Sequence, residues 1–414
     1  MKDNQAKYPQ LRFKGFTDPW EQRKLGTIYD FGKGKGLPLD SFIYSSNNPA
    51  IAYGHLYTKY SEVISEVFWS SNDNGVLSKD NDLLFPGSST VPNGTAQANA
   101  ITLNNVKLGG DIIIGRPKEG VGVLSTFMSY QVNSQRQKLF PITVGTTITH
   151  MYGKDISKLN FFITDYSEQE KIASFFKQLD DIIALHQRKL AKLKELKQGY
   201  LQKLFPKNGS KFPQLRFAGF ADAWEKRKLG ELTKISSAAR VHKDEWTSSG
   251  VRFFRSSDVV SLFKGQVNTP AFISENLYDK LSEKSGVPSV GDILITGGGS
   301  IGIPYVIGPI WPLYFKDADL IWLKSRATFN SFFLFYYLQT PIYRTHLRAI
   351  SHIGTIAHFT IEQAEETPLK ITVLDEQNSI ASILTKFDDL IAATQCKLDL
   401  LKKLKKGYLQ KMLC

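Results

Sequence analysis

Cysteine is nearly absent from this chain of 414 residues, which contains only Cys396 and Cys414. Neither belongs to a Cys-x-x-Cys pair, so the sequence predicts no disulfide framework and no structural zinc site. The seven histidines are scattered and show no His-Glu-x-x-His or similar metal-binding spacing. We therefore expect no metal site in this chain.

Long apolar runs are also missing. The longest run, Phe332–Leu338, is far shorter than the ~20 residues that a membrane helix needs. The first residues, MKDNQAKYPQ, contain no apolar core typical of a signal peptide. We expect a soluble, cytoplasmic protein.

Recognisable catalytic motifs are lacking as well. Residues 297–302 (GGGSIG) follow a predicted strand but lack the Lys-Ser/Thr that completes a phosphate-binding loop, so they predict a tight turn. No Pro-Pro pair occurs, which excludes the Asn/Asp-Pro-Pro-aromatic motif of amino-methyltransferases. Pro288 and Asp292 have no downstream acidic-x-Lys to complete a nuclease centre. The sequence predicts a non-catalytic protein.

Acidic residues are in deficit, with 39 Asp and Glu against 52 Lys and Arg, which gives a formal net charge of +13. An excess of this size is typical of proteins that bind a polyanion, most commonly nucleic acid. The alternative is a basic protein without such a partner. With 42% hydrophobic and 22% charged residues, the chain resembles ordinary globular proteins, and its length predicts two to three domains.

An internal repeat organises the chain. Residues 8–26, YPQLRFKGFTDPWEQRKLG, match residues 212–230, FPQLRFAGFADAWEKRKLG, at fourteen of nineteen positions. Residues 168–204 match residues 376–412 at almost the same offset. The chain is a tandem duplication, in which each half contains an opening motif, a variable module and a long helix.

The long helices are predicted by apolar residues in alternating 4-3 spacing, beginning at Ile172 and Ile380. Polar residues interrupt both seams at the same two places, one of which is Lys197 in the first copy and Lys405 in the second. Ser167 and Glu170 predict a capping box at the start of the first helix. Each stripe needs a partner, so we expect the two helices to form a coiled coil; the alternative is that each packs only on its own module.

The modules, at about residues 27–166 and 231–374, contain short apolar runs bounded by glycines and polar turns, such as Asp111–Gly115 and Asp292–Thr296. Asp82-Leu-Leu-Phe corresponds to Asp292-Ile-Leu-Ile, and Asn330–Leu338 predicts a buried helix. The fold class is therefore α/β (α+β) modules with substantial sheet, joined by two long helices in a pseudo-two-fold internal repeat.

Together these pieces resemble the specificity subunits of bacterial type I restriction-modification systems over essentially the whole chain. The matching pieces are the P-x-L-R-F-x-G-F…W openings, the EQ…IA helix starts, the paired aspartates and the GYLQK endings, at residues 9–20 and 213–224, 168–173 and 376–381, 180–181 and 388–389, and 199–203 and 407–411.

The resemblance implies a first target-recognition domain over 1–166, a central conserved helix over 167–205, a second target-recognition domain over 206–374 and a C-terminal conserved helix over 375–414. The helices would form an antiparallel coiled coil that sets the unread spacer of a bipartite, asymmetric site in double-stranded DNA. Two methyltransferase subunits and restriction subunits would bind this chain. S-adenosylmethionine, ATP and Mg²⁺ would then lie on the partner subunits and none on this chain.

Site residues are predicted from chemistry within the modules and from the motifs on the helices. Arginine can bind guanine bidentately, and lysine chiefly neutralises phosphate. Residues 31–36 (FGKGKG) predict a flexible basic loop, and His55 is predicted to reach a base edge from a loop. The candidate DNA-binding residues are Lys33, Lys35, His55, Arg116, Lys118, Arg240, Arg252, Arg255, Lys264 and Lys324. The candidate subunit-interface residues are Asp180, Asp181, Tyr200, Asp388, Asp389 and Tyr408.

Three alternatives stay open at this point. The chain could be a stand-alone bivalent DNA-binding protein such as a repressor, without methyltransferase partners. It could be an enzyme, a nuclease or methyltransferase with an unrecognised site. It could also be a coiled-coil scaffold with no role on DNA, in which case salt-dependent DNA binding would be absent.

Overall fold

The structure is a computed structural model that describes residues 8–91, 93–309, 312–316, 319–350 and 358–413, so that Cys414 lies outside the described residues. The chain divides into two compact units. Unit 1 comprises residues 1–188 and 396–414, and unit 2 comprises residues 189–395. Each unit therefore contains one module, part of the long helix that follows it and part of the other long helix.

Unit 1 is a mixed α/β unit of short strands and helices. Its strands are β1 (Glu21–Lys24), β2 (Tyr29–Lys33), β3 (Ile43–Tyr44), β4 (Ala50–Ile51), β5 (Val63–Ile64), β6 (Trp69–Ser70), β7 (Val76–Leu77), β8 (Asp82–Pro86), β9 (Ser88–Ser89), β10 (Asn99–Ile101), β11 (Lys107–Leu108), β12 (Ile112–Pro117), β13 (Thr149–His150) and β14 (Asn160–Ile163). Its helices are α1 (Leu25–Ile28), α2 (Tyr53–Thr58), α3 (Ser125–Ser134), α4 (Gly153–Ile156) and the first part of α5 (Tyr166–Lys203).

Unit 2 has fewer strands and more helices. Its strands are β15 (Glu225–Lys228), β16 (Ile235–Ser236), β17 (Trp246–Thr247), β18 (Val251–Phe254), β19 (Ala271–Ile273), β20 (Ile293–Thr296), β21 (Pro304–Val306), β22 (Leu313–Phe315), β23 (Leu320–Leu323) and β24 (Pro368–Ile371). Its helices are α6 (Leu229–Leu232), α7 (Ser256–Phe263), α8 (Glu275–Ser285), α9 (Ser331–Tyr337), α10 (Pro341–Ile350), α11 (Ile361–Glu365) and the first part of α12 (Leu374–Met412).

Each module is closed by a two-stranded antiparallel sheet that joins its beginning to its end. In unit 1, β1 pairs with β14, which leads into α5. In unit 2, β15 pairs with β24, which leads into α12. The repeated opening motif thus places equivalent strands next to the starts of equivalent helices.

The main sheet of unit 1 has the strand order β2-β12-β8-β10-β5, and the corresponding sheet of unit 2 has the order β16-β23-β20-β21. Along β8, Leu83 and Phe85 enter one apolar cluster and Leu84 enters another, because successive strand residues point to opposite faces. Along β20, Ile293 and Ile295 enter one cluster and Leu294 the other. The correspondence between these two strands is confirmed. A second sheet, β17-β19-β18-β22, is present in unit 2.

The two long helices are confirmed with bounds close to the predicted ones. At 1.5 Å per residue, the 38-residue α5 is about 57 Å long. The predicted cap is wrong: α5 begins one residue before Ser167, and the carboxylate of Asp165 accepts the backbone N–H of Ser167 at 2.9 Å. Asp165 therefore satisfies a free N–H of the first turn, which Ser167 inside the helix cannot do. Hydrogen bonds from the Ser167 side chain and backbone N–H groups lower the pKa of Asp165.

Within each unit the two helices run antiparallel. In unit 1, Phe175 of α5 packs on Tyr408 of α12 with ring centroids 5.1 Å apart, and Asp180 meets Lys405. In unit 2, Tyr200 packs on Phe387 at 5.2 Å. From the first of the two contacts in unit 1 to the second, the residue number rises from 175 to 180 on α5 and falls from 408 to 405 on α12, as an antiparallel coiled coil requires. The four predicted chain segments differ from the two compact units because each long helix is shared between both units; that four-segment division stays an interpretation.

Two smaller predictions concern unit 2. Residues 297–302 form turns after β20, with positive φ at Gly299 and Gly302, as predicted. The predicted buried helix is α9, where the side chain of Asn330 caps the N-terminus by accepting the N–H of Phe333.

Candidate functional sites

A buried ion pair holds each opening motif against the start of a long helix. In unit 1, the guanidinium of Arg12 donates to both carboxylate oxygens of Glu168, at 2.6 and 2.8 Å, and Trp20 Nε1 donates to the same carboxylate at 3.1 Å. In unit 2, Arg216 binds Glu376 in the same way, at 2.7 and 2.9 Å. Both glutamates are almost fully buried. The repeated motif is thus explained by these two ion pairs, Arg12–Glu168 and Arg216–Glu376, which we call the anchors.

A second polar cluster lies one heptad or more beyond each anchor. In unit 1, Asp180 of α5 accepts the hydroxyl of Tyr130 from α3 at 2.7 Å and the ammonium of Lys405 from α12 at 2.6 Å. Lys405 also binds Glu62 at 3.2 Å, and its ammonium lies 5.3 Å from the Tyr130 ring centre. Burial and the neighbouring Asp180 raise the pKa of Tyr130, so its hydroxyl stays a donor.

Unit 2 contains the equivalent cluster. Asp388 of α12 accepts the hydroxyl of Tyr336 from α9 at 2.7 Å and the ammonium of Lys197 from α5 at 2.5 Å. The ammonium again lies 5.3 Å from the tyrosine ring centre. Burial, together with Asp388, raises the pKa of Tyr336. We call these two sets of residues, Tyr130–Asp180–Lys405 and Tyr336–Asp388–Lys197, the clasps.

Four of the six predicted subunit-interface residues make contacts within the chain. Asp180 and Asp388 are bound within the chain, and Tyr200 and Tyr408 pack on aromatic rings of the opposite long helix. The second aspartate of each pair, Asp181 or Asp389, is exposed. A role of all six residues in subunit binding stays a prediction, and the exposed pair is best placed for it.

The predicted basic loop of unit 1 is partly a strand. Lys33 ends β2, and its ammonium binds Asp111 at 2.8 Å, so the prediction of a flexible loop over residues 31–36 is wrong for its first half. The strand forms because residues 29–33 pair with β12. Lys35 is exposed, whereas Lys118 is half-buried and donates to the carbonyl of Gly26 at 2.9 Å.

Arg116 and Lys324 occupy equivalent positions but have different partners. Arg116 binds the fully buried carboxylate of Asp82 through Nε and Nη2, each at 2.9 Å. In unit 2, Asp292 instead accepts Trp322 Nε1 at 2.8 Å, and the Lys324 ammonium lies 4.2 Å from the centre of the Trp322 ring. The sheet register places Arg116 opposite Asp82 and Lys324 opposite Asp292, yet only the first of these aspartates binds the basic residue opposite it.

His55 lies in α2 rather than in a loop, so that part of its prediction is wrong. Its ring stacks on Trp69 with centroids 5.2 Å apart and meets the edge of Phe42 at 5.1 Å. Burial lowers the pKa of His55, and Lys59 lowers it further. Packing of the ring explains why the histidine is half-buried.

In unit 2, two of the predicted arginines share one buried carboxylate. Arg252 and Arg255 both bind Asp258, at 3.2 and 2.8 Å, and Arg255 also donates to the carbonyl of Thr269. Arg240 and Lys264 are exposed. The structure thus separates cations held by acidic partners from cations displayed to solvent, a difference that residue type alone does not reveal.

An aromatic surface in unit 1 was not predicted. Tyr44 of β3 is 75% exposed and stacks on Phe68, which is 48% exposed, with ring centroids 6.1 Å apart. Trp69 of β6 meets the edge of the Tyr44 ring. The surface arises from pairing of β3 with β6, two segments about 25 residues apart, and only the aromatic content of each segment could have hinted at it.

Over the described ranges, no group of three or more His, Cys, Asp or Glu side chains is arranged to hold a metal ion. No helix there is both long enough and apolar enough to cross a membrane.

Comparison with known proteins gives one consistent result. The family described as the type I restriction modification DNA specificity domain matches twice, over residues 17–195 and 221–403. The type I restriction enzyme MjaVIII specificity subunit of Methanocaldococcus jannaschii is 24% identical over 415 aligned positions, which cover 96% of this chain and 92% of that protein.

Two solved structures share the fold. The type I restriction-modification S subunit from M. genitalium has a TM-score of 0.66 at 15% identity and covers 98% of this chain and 99% of its own. A chain from a structural study of complex assembly in the type I R-M system has a TM-score of 0.50 at 16% identity and covers 95% of this chain and 97% of its own.

Proposed function

Because the chain belongs to the family of type I restriction-modification DNA specificity domains, we propose that it is the DNA sequence-recognition subunit of a type I restriction-modification complex. Its two modules would each read one part of a bipartite, asymmetric site in double-stranded DNA. The observation that carries this proposal is the double family match, in which each copy covers one module and part of the long helix that follows it.

The construction of the two units supports the proposal that two modules on one repeated scaffold recognise two different DNA sequences. The anchors and the clasps are repeated with nearly the same distances, whereas the sheets and the basic side chains of the modules differ. A scaffold used twice with unequal modules suits a site with two unequal halves. Two modules on one chain also raise the effective concentration of the second, so modest affinities combine.

Exposed cations and aromatic rings are the proposed DNA contacts. Lys35, Arg240 and Lys264 are displayed to solvent and can meet phosphates or base edges. The exposed rings of Tyr44 and Phe68 are also proposed to contact DNA. Arg116, Arg252 and Arg255 stay candidates, but each would have to contact DNA while it is bound to an aspartate.

The partners follow from membership of the family. We propose that two methyltransferase subunits bind the long helices, that restriction subunits join this core, and that the chain itself carries no catalytic centre. S-adenosylmethionine, ATP and Mg²⁺ would be bound by those partners. Asp181 and Asp389, which are exposed beside the clasps, are the proposed contacts to the methyltransferases. Family membership through both halves favours this role over a stand-alone repressor.

The test is co-expression of the chain with the methyltransferase subunit of its own system, followed by single-molecule sequencing that maps methyladenine. We expect one bipartite motif with a fixed gap, and no such motif without the chain. Arg240→Ala should alter only the half of the motif read by unit 2, with Glu195→Gln, an exposed residue of α5, as a control. Methylation that is the same without the chain, or absent despite a soluble complex, would refute the proposal.

A further inference from the structure

Each clasp joins three separate parts of the chain at one carboxylate. In unit 1 these are the module helix α3, the long helix that follows it and the long helix of the other repeat, which contribute Tyr130, Asp180 and Lys405. In unit 2 they are α9, α12 and α5. The same three residue types come together although the modules around them have diverged.

The lysines occupy unusual positions. Lys197 and Lys405 stand in the apolar seams of the long helices, where neighbouring seam residues such as Leu190 and Leu398 are buried. The side chain of Lys405 is only 14% exposed. A polar residue in a coiled-coil seam lowers stability but specifies register and partner, because any other alignment leaves it without a partner. Both repeats keep a lysine at this seam position.

The geometry makes the clasp sensitive to register. Asp388 and Lys197 lie on different helices, 191 residues apart in the chain, and their charged atoms are 2.5 Å apart. A slide of one heptad displaces one helix by about 10.5 Å and breaks this contact, although the apolar stripe would still meet an apolar stripe. The ion pair therefore adds a register-specific polar contact to the apolar packing that also holds the end of each long helix, where Leu204 and Met412 are buried in the cores of units 2 and 1.

The tyrosine extends the same constraint to the module. Tyr336 donates to the carboxylate that Lys197 binds, so the module helix is fixed at the point where the register is fixed. Tyr130 does the same in unit 1. Displacement of the helices would thus also displace the module from its attachment.

We propose that the clasps determine the spacer length of the recognised DNA site, by fixing the register of the two long helices and attaching each recognition module at that register. The inference rests on the proposed function. Tyr130, Asp180, Lys405, Tyr336, Asp388 and Lys197 are positioning residues, since none of them needs to contact DNA. Loss of a clasp should relax the spacer while leaving the two half-site sequences unchanged.

The sharpest variant is Lys197→Met. Methionine suits an apolar seam, and its partner Asp388 is 41% exposed and can be hydrated, so the chain should fold without loss of thermal stability. In the complex with the methyltransferase, we expect methylation at sites whose spacer differs by about three base pairs, the 10.5 Å of one heptad at 3.4 Å per base pair, to rise about ten-fold relative to the native spacer. This corresponds to about 1.4 kcal/mol of lost discrimination.

Two further chains complete the experiment. Lys192→Met makes the same chemical change at an exposed position of the same helix and should leave the spacer unchanged. The charge exchange Lys197→Asp with Asp388→Lys should restore the ion pair and with it a preference for the native spacer that Lys197→Asp alone relaxes, although the Tyr336 hydroxyl loses its carboxylate acceptor. Rescue of this kind is not expected if the lysine is merely structural.

The outcomes separate this inference from the proposed function. If the native chain directs no methylation, the proposed function fails. If it does, and Lys197→Met keeps the native spacer at wild-type selectivity, the clasps do not set the spacer. An unfolded Lys197→Met chain also contradicts the proposal, because it would show that the lysine stabilises the seam rather than specifying its register.

Discussion

The anchor at the start of α5 allows one perturbation to be worked through in energetic terms. Glu168 is fully buried and accepts three hydrogen bonds from Arg12 and Trp20, while the Arg12 side chain is only 13% exposed. Glu168→Gln keeps the shape of the side chain but leaves the guanidinium without a counter-charge. Breaking a buried ion pair on one side costs about 3–5 kcal/mol. We expect a loss of that size in the local stability of the helix start.

The second repeat provides an internal comparison. Glu376 binds Arg216 as Glu168 binds Arg12, but Trp224 Nε1 has no hydrogen-bond partner within the described residues. Glu376→Gln therefore loses only the ion pair, whereas Glu168→Gln also replaces the charged acceptor of the Trp20 hydrogen bond by a neutral one. The difference between the two variants should be about 1 kcal/mol, the margin by which a hydrogen bond to a charged acceptor exceeds one to a neutral acceptor.

The measurement is native-state hydrogen exchange of the peptides that cover the first turns of α5 and α12, because local opening free energies stay defined in a chain with two units. Glu170→Gln, an exposed neighbour on α5, is the control and should change the opening free energy by less than about 0.5 kcal/mol. In an Arg12→Met background, Glu168→Gln should stabilise the chain, since it removes a buried charge that has lost its partner. A loss of equal size in both backgrounds would refute the reasoning.

Three further outcomes are expected. Gly34→Ala should destabilise unit 1 by about 1–3 kcal/mol in urea unfolding, because an added Cβ would overlap the carbonyl oxygen of Gly109, whereas Gly32→Ala, which meets open space, should not show this overpacking loss. Burial lowers the pKa of His55 below 6.5, so stability should fall as the pH drops below 6.5, where the unfolded chain takes up the proton first; His55→Phe should flatten that part of a stability profile against pH. Lys264→Ala should reduce the slope of log affinity against log salt by about one in DNA-binding titrations of the complex, because we expect this exposed lysine to neutralise a phosphate.

The sequence was sufficient to predict the elements whose signal is local. The 4-3 spacing from Ile172 onward predicted α5 because a helix seam repeats along the chain itself. The equivalence of β8 and β20 could be predicted because both begin with an aspartate followed by apolar residues. Even the interruption of both seams was visible, at Lys197 and Lys405.

What could not be predicted is which side chains meet across long separations. Nothing near Lys405 indicates that its partners are Asp180 and Glu62, because they are more than 200 residues away in the chain. The same limit affected Arg116, whose carboxylate partner comes from a neighbouring strand through the sheet register. The sequence predicts a loop at His55 because α2 has only six residues, too few for a periodic pattern. The solvent exposure of the basic side chains depends on such pairings, so it could not be predicted from the sequence either.

The repeated polar residues also bear on why the two halves have diverged so unequally. Replacing a buried ion pair by apolar residues of similar volume is often neutral or stabilising, so stability alone does not require Arg12 with Glu168 and Arg216 with Glu376 to be kept in both copies. Apolar clusters of the modules, in contrast, can exchange one hydrophobic side chain for another with little loss, as Phe85 and Ile295 do at equivalent strand positions. A polar contact specifies one geometry, and an apolar contact specifies mainly a volume. A chain that must hold two different modules on one scaffold would then retain polar pairs where geometry matters and let the module cores drift, which is the pattern that its two halves show.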